Sequence, residues 1–173
     1  MDVSLPQAYL IGLLLLLGTA AVLVARQILR VRRDESALAR LEAQAKAGDK
    51  SAGDLYELAS VQLRKRLYGQ ATENLKLAAK RASGEPSEAQ ALIENALGFA
   101  LAAQSNYSGA IKHYRAALRA KSDYPVALNN LAFALEKQQK SDEAKETYAK
   151  VLELDAANKT AKRRLKRLER TAA

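Results

Sequence analysis

Few side chains in this sequence of 173 residues could carry out covalent chemistry. It contains no Cys and a single His, His113. Without thiols there is no disulfide framework, and one His cannot pair with another as a metal ligand. His113 lies between Lys112 and Arg115, so we expect it on the surface, and neither an acidic pair nor a Gly-rich phosphate loop accompanies it. We therefore predict a protein that is not an enzyme and has no cofactor or metal.

Side chains suited to binding a polypeptide recur at a fixed interval. Asn95 and Asn129 are 34 residues apart, as are Phe99 and Phe133. Asn can hydrogen-bond an extended backbone and Phe can supply apolar contact, although packing between helices would explain the two Phe equally well. The predicted groove comprises Tyr56, Ser60, Arg64, Asn95, Phe99, Asn129, Phe133 and Lys137.

A second candidate surface is basic. The chain has 28 Lys and Arg against 19 Asp and Glu, a formal charge of +9, which favours an acidic partner. Residues 159–170 hold much of this excess around a stripe of three apolar residues, so we predict a helix that caps the preceding domain. Alternatively, the segment contacts lipid headgroups, an acidic protein or nucleic acid, and its lack of aromatic residues argues against base stacking. Its candidate residues are Arg163, Arg164, Lys166 and Arg167.

A repeating pattern predicts the elements that position these residues. A small residue is followed by Ala twelve positions later, by a large residue four further on and by Ala or Val three after that. The small residues are Ala59, Gly98 and Ala132, and the large ones are Leu75, Tyr114 and Tyr148. This spacing indicates antiparallel helix pairs in which small residues allow close approach and the large residues fill the space between one pair and the next.

These units resemble tetratricopeptide repeats, which stack into a solenoid because one pair cannot bury its apolar face alone. We place them at 52–85, 91–124 and 125–158, followed by a basic capping helix and tail at 159–173. Tyr68-Gly69 is expected in the first turn, and Ser87 with Gln90 is expected to cap the helix after residues 84–86. The predicted fold is all-α.

The amino-terminal segment is apolar. Residues 3–25 carry no formal charge and form a predicted transmembrane anchor, since a helix of that length spans about 30 Å of hydrocarbon. Arg26, Arg30, Arg32 and Arg33 follow it, which places the rest of the chain in the cytoplasm or its organellar equivalent. The alternative, a cleaved signal peptide, lacks the preceding basic stretch. Residues 26–51 are predicted to be a basic juxtamembrane helix and linker that breaks at 48–51.

One known groove chemistry does not match. Chaperone co-factors of this repeat class hold a terminal carboxylate with a clamp of Lys, Asn and Arg. The corresponding residues here are Tyr56, Ser60, Ala96, Val126 and Asn130. Only one Asn remains and no cation does, so we do not expect a chaperone-tail clamp.

Taken end to end, the sequence resembles the small membrane-anchored tetratricopeptide proteins of cyanobacteria and plastids that assist photosystem I assembly. The resemblance covers the Met-Asp-Val-Ser-Leu-Pro lead, the Arg-rich exit from the span, the repeats and the ending Thr160-Ala161-Lys162-Arg163-Arg164. It implies a thylakoid protein whose repeats face the cytoplasm or stroma and contact photosystem I subunits or other assembly factors, with no nucleic acid partner. The alternative is a general membrane-anchored adaptor for envelope biogenesis or secretion.

Overall fold

The computed structural model describes residues 5–46 and 50–170, and within these ranges the chain is helical with no β-strand. The all-α prediction is therefore confirmed. The predicted break at Gly48 and the final residues 171–173 of the tail lie outside the described residues. The helices are α1 (Leu5–Lys46), α2 (Ala52–Arg64), α3 (Tyr68–Arg81), α4 (Ser87–Ala103), α5 (Tyr107–Ala120), α6 (Pro125–Lys137), α7 (Ser141–Leu154) and α8 (Lys159–Arg170), with a 3-10 turn at Ala82–Gly84.

The chain divides into two compact units, Met1–Arg40 and Leu41–Ala173. In the first unit, α1 contains a stretch that is long and apolar enough to cross a membrane, judged by its length and composition. Large apolar side chains from Tyr9 to Leu29 are exposed along this helix.

The second unit is a series of helix pairs. Helices α2 and α3, α4 and α5, and α6 and α7 pack as pairs, each pair contacts the next, and α8 packs on α7. The small residues of the repeating pattern lie at these contacts. Five of them are fully buried, namely Ala59, Ala71, Ala110, Ala132 and Ala144. Because Ala has a short side chain, the helix axes approach closely and the pairs share one core.

The ring of Tyr114 packs against the small residue of its own repeat. An added Cβ at Gly98 would lie 2.6 Å from Cε1 and 2.7 Å from Cδ1 of Tyr114. The ring therefore packs directly over Gly98 inside its own helix pair. Burial raises the pKa of Tyr114 well above its ordinary value because the phenolate would be poorly solvated.

The turns inside the three pairs share one backbone geometry. Arg66, Ser105 and Gln139 each adopt a positive φ of 60 to 62° and separate the two helices of their pair. The expectation for Tyr68-Gly69 is wrong, since both residues already belong to α3. Arg66 takes the left-handed position because the 6→1 hydrogen bond from Leu67 N to Gln62 O closes the turn there.

Helix capping also differs from the expectation at one end. Ser87 is the first residue of α4 rather than its cap, since Pro86 occupies that position without a side-chain hydrogen bond. Gln90 Nε2 instead donates to Glu85 O at 2.8 Å. A complete capping box forms at α2, where Ser51 and Asp54 exchange hydrogen bonds. Hydrogen bonds from Ser51 lower the pKa of Asp54 below its ordinary value.

Candidate functional site

The first helices of the pairs, α2, α4 and α6, contact one another in series and form one side of the second unit. We refer to this surface as the groove. Its eight predicted residues all lie on these three helices, and each is exposed or half-buried. All eight predicted residues therefore lie on the first helices of the pairs, and their local contacts differ.

Asn95 is the centre of a hydrogen-bond network between α4 and α6. Asn130 Nδ2 donates to Asn95 Oδ1 at 3.0 Å, and Asn95 Nδ2 donates to Tyr124 Oη at 3.4 Å. Burial, and to a lesser extent Tyr56, raises the pKa of Tyr124, so its hydroxyl stays protonated over the physiological range. The amide of Asn95 is therefore already used to hold two helices together.

Asn129 has the opposite environment. Its Oδ1 is buried and makes no hydrogen bond with any residue that the structure describes. A buried polar atom without a partner costs about 1–3 kcal/mol, and rotation of the side chain can relieve that cost when a donor arrives. Of the two Asn residues predicted to bind a backbone, Asn129 is the one whose amide is not already engaged with the described chain.

The two predicted Phe residues also differ. Phe99 is 44% exposed, which is a large value for an aromatic side chain inside a folded unit. Phe133 is half-buried and its ring meets Tyr107 edge-on, with centroids 6.5 Å apart. Two cations lie near the same ring, Lys137 at 5.5 Å and Arg164 at 4.6 Å from the centroid. Packing within the chain accounts for most of the surface of Phe133, and Phe99 is the more exposed of the two rings.

The remaining groove residues stand at its two ends. Ser60 Oγ donates to Tyr56 O at 2.8 Å within α2, so this hydroxyl is already engaged. Arg64 is exposed near the end of the same helix. Lys137 is exposed at the end of α6. Positive charge is therefore present on α2 and on α6.

The basic residues of α8 separate into two groups. Arg164 and Arg167 both pair with the carboxylate of Glu136, whose side chain is only 13% exposed. Tyr148 Oη donates to the same carboxylate at 3.4 Å. Arg163, Lys166 and Arg170 make no ion pair with the described part of the chain and line an open cavity together with Arg164 and Arg167.

His113, which lies outside the groove, does not have the surface position that was predicted for it. Its Nδ1 lies 2.7 Å from Glu94 Oε2, and both side chains are about three-quarters buried. The expectation of a surface His is wrong because Glu94 on α4 faces it from the neighbouring helix. This pair lies on the contact between α4 and α5 and ties the two helices together.

The groove combines an exposed aromatic ring, an amide oxygen without a partner among the described residues, and cations. The described residues contain no group of three or more His, Cys, Asp or Glu that could hold a metal ion. Sequence reasoning missed Tyr124 and Glu136 as part of this surface. Tyr124 precedes the Pro that starts α6, and the position of Glu136 one residue before Lys137 was the available signal.

Comparison with known proteins supports the tetratricopeptide class. Residues 98–139 match a TPR repeat family and residues 125–158 match the tetratricopeptide repeat family. Among solved structures, MamA aligns with a TM-score of 0.73 at 19% identity, covering 80% of this chain and 78% of that chain. YrrB, described as a TPR protein with an unusual peptide-binding site, aligns with a TM-score of 0.68 at 21% identity over 82% and 71% of the two chains. The protein is a tetratricopeptide repeat protein.

Sequence relatives define the family more closely. The chain is 30% identical to the uncharacterized protein ycf37 of Guillardia theta over 93% of this chain and 90% of that one. It is 36% identical to ycf37 of Cyanophora paradoxa over 73% and 71%. It therefore belongs to the ycf37 family. The chain is also 32% identical to the chloroplastic tetratricopeptide repeat domain-containing protein PYG7 of Arabidopsis thaliana over 94% of its own length, and it spans 54% of that longer relative.

Proposed function

We propose that this protein is a membrane-anchored adaptor that binds a polypeptide in its groove and thereby assists assembly or stability of photosystem I. The observation that carries the binding role is the 44% exposure of Phe99 on the groove surface. An aromatic ring exposed beside polar hydrogen-bonding groups is typical of a site that anchors a partner. The plastid relatives and the sequence resemblance support the photosynthetic context.

The proposal includes the division of the chain. Residues 3–25 serve as the anchor, 26–51 as the juxtamembrane segment, 52–85, 91–124 and 125–158 as the repeats, and 159–173 as the cap and tail. The anchor lies in the thylakoid membrane and the repeats face the cytoplasm or stroma. The exposed apolar stretch of α1 and the four Arg residues that follow it support this arrangement.

The test uses the double variant Phe99→Ala with Asn129→Ala in the full-length chain. Neither change removes a hydrogen bond within the described chain, so we expect stability to stay within about 1 kcal/mol of the unchanged protein. Tagged protein is purified from solubilised membranes of a photosynthetic host. We expect the unchanged chain to retain photosystem I subunits or assembly factors and the double variant to lose them, with less photosystem I relative to photosystem II in that host.

The matched control is Leu154→Ala, which removes a comparably exposed apolar side chain from α7. It should retain the partner. Retention by the groove variant as well would contradict binding through this surface. Partners drawn only from envelope biogenesis or secretion would contradict the photosystem I role and favour a general membrane adaptor. Asn95→Ala is a poorer probe because it breaks the network with Asn130.

A further inference from the structure

Helix α8 repeats the register of α6. Lys159 begins α8 34 residues after Pro125 begins α6. The burial pattern repeats at the same interval, since Ala127 and Ala161 are both fully buried. Farther along, Ala134 and Leu168 are both buried as well. Thus α8 stands where the first helix of a further pair would stand, although it also caps the stack.

This register places Arg residues at groove positions. Adding 34 to Asn129 and Phe133 gives Arg163 and Arg167. Arg164, the residue between these two, is already in contact with the groove, because its guanidinium lies 4.6 Å from the centroid of the Phe133 ring. The side of α8 that lines the basic cavity is therefore continuous with the surface of α6.

We propose that the groove continues onto α8 and that this helix forms a cationic wall that binds acidic side chains of a polypeptide whose apolar side chains contact Phe99. The inference rests on the proposed function and names the chemistry of its partner. Glu136 neutralises part of the charge by pairing with Arg164 and Arg167. Arg163 and Arg170 remain without an ion pair to the described residues and are available to a carboxylate.

The packing of α8 favours a polypeptide over a lipid surface. A helix that binds in the membrane interface inserts an apolar face between headgroups while its basic face contacts them. On α8 the apolar residues Ala161 and Leu168 are buried within the folded unit, so no such face remains. RNA is disfavoured as well, because α8 carries no aromatic side chain on which a base could stack.

The probe is a fluorescein-labelled synthetic peptide that alternates Glu and Leu, with a matched peptide in which every Glu is Gln. Binding to the full-length protein in detergent is measured by fluorescence anisotropy at low and high salt. We expect the Glu peptide to bind about tenfold more tightly than the Gln peptide at low salt and to lose this advantage as salt screens the charges.

Two double variants test the wall. Arg163→Gln with Arg170→Gln should lower the affinity for the Glu peptide about tenfold and leave the affinity for the Gln peptide unchanged within about twofold. The control, Lys112→Gln with Arg119→Gln, removes the same charge from exposed positions on α5 and should have no such effect. Equal weakening by both double variants would mean that net charge alone attracts the peptide and would overturn the proposal.

Continuity with the groove is tested by Phe99→Ala. This change should lower the affinity for both peptides, because the same polypeptide contacts the Phe99 ring and the cationic wall. An unchanged affinity for both peptides would overturn the proposal. Binding of short-chain phosphatidylglycerol or of an RNA oligonucleotide to the Arg residues more tightly than the Glu peptide would also overturn it. In the membrane capture, loss of the partner by the groove variant but not by Arg163→Gln with Arg170→Gln would refute the wall and leave the proposed function intact. Loss by neither would refute both.

Discussion

At the scale of single residues, Gly98 has the tightest steric constraint among the glycines that the structure describes. Its position against the ring of Tyr114 leaves less than 3 Å for any added Cβ, and both residues are buried. Neither the ring nor the backbone can move far in a close-packed interior. The small residue required by the repeating pattern is thus explained by a contact within one pair.

We predict that Gly98→Ala lowers the free energy of unfolding by about 1–3 kcal/mol, and that Gly98→Leu lowers it further, because the side chain must displace Tyr114. Ala132→Leu should be destabilising for the same reason, since Ala132 is fully buried. Thermal unfolding of the full chain followed by circular dichroism measures the effect.

The control for this prediction is Gly69→Ala. Gly69 lies in α3 with no atom within 4 Å of an added Cβ, so the better helix propensity of Ala should leave the melting temperature unchanged or higher. Equal melting temperatures for Gly98→Ala and Gly69→Ala would show that the contact between α4 and α5 is not as described.

At the scale of elements, Glu136 links α8 to the preceding helix pair, α6 and α7. Its carboxylate accepts hydrogen bonds from Arg164 and Tyr148 and pairs with Arg167. The group therefore joins α6, α7 and α8 at one point. Because the carboxylate is mostly buried, these interactions are less screened than a surface pair would be.

We predict that Glu136→Gln weakens the attachment of α8 and lowers stability by about 1–3 kcal/mol, since two Arg residues lose their charged partner. The substitution should accelerate amide hydrogen exchange more in α8 than in α4. The matched change Glu153→Gln, at an exposed position on α7, should leave both exchange and stability unaltered. Unchanged exchange in α8 for Glu136→Gln would mean that apolar packing alone holds this helix.

At the scale of the whole molecule, the proposed anchor determines which side of the membrane the repeats face. The four Arg residues from Arg26 to Arg33 follow the apolar stretch, and translocating them across a membrane is unfavourable. We predict that protease added to the cytoplasmic or stromal side of intact thylakoid membranes digests the repeats. The chain contains no Cys, so a single Cys introduced at Ser141 or Asp2 gives an independent readout with an impermeant thiol reagent.

In this experiment Ser141→Cys should be labelled in intact membranes and Asp2→Cys only after the membranes are opened. The reverse pattern would place the repeats on the opposite side. Labelling of both positions in intact membranes, with recovery of the protein in the soluble fraction, would contradict the anchor itself.

The sequence alone determined the helices and their order. The helical periodicity and the repeating pattern of small residues depend on residues close together in the chain, and local preferences of this kind can be seen without a fold. The same is true of the apolar stretch in α1, because its length and composition suffice to identify it as a candidate span. The turn position of Arg66 was not predicted and the capping role expected of Ser87 was wrong, because several neighbouring residues could have filled those positions.

Only the tertiary structure decided which of the repeated groove residues remain available for binding. Asn95 and Asn129 are equivalent by spacing, yet Asn95 is engaged by Asn130, 35 residues away in the chain. Phe99 and Phe133 are likewise equivalent, yet Arg164 covers only Phe133. Such pairings depend on how helices distant in sequence pack together. Periodicity identifies equivalent positions, whereas packing determines which side chains at those positions already have partners.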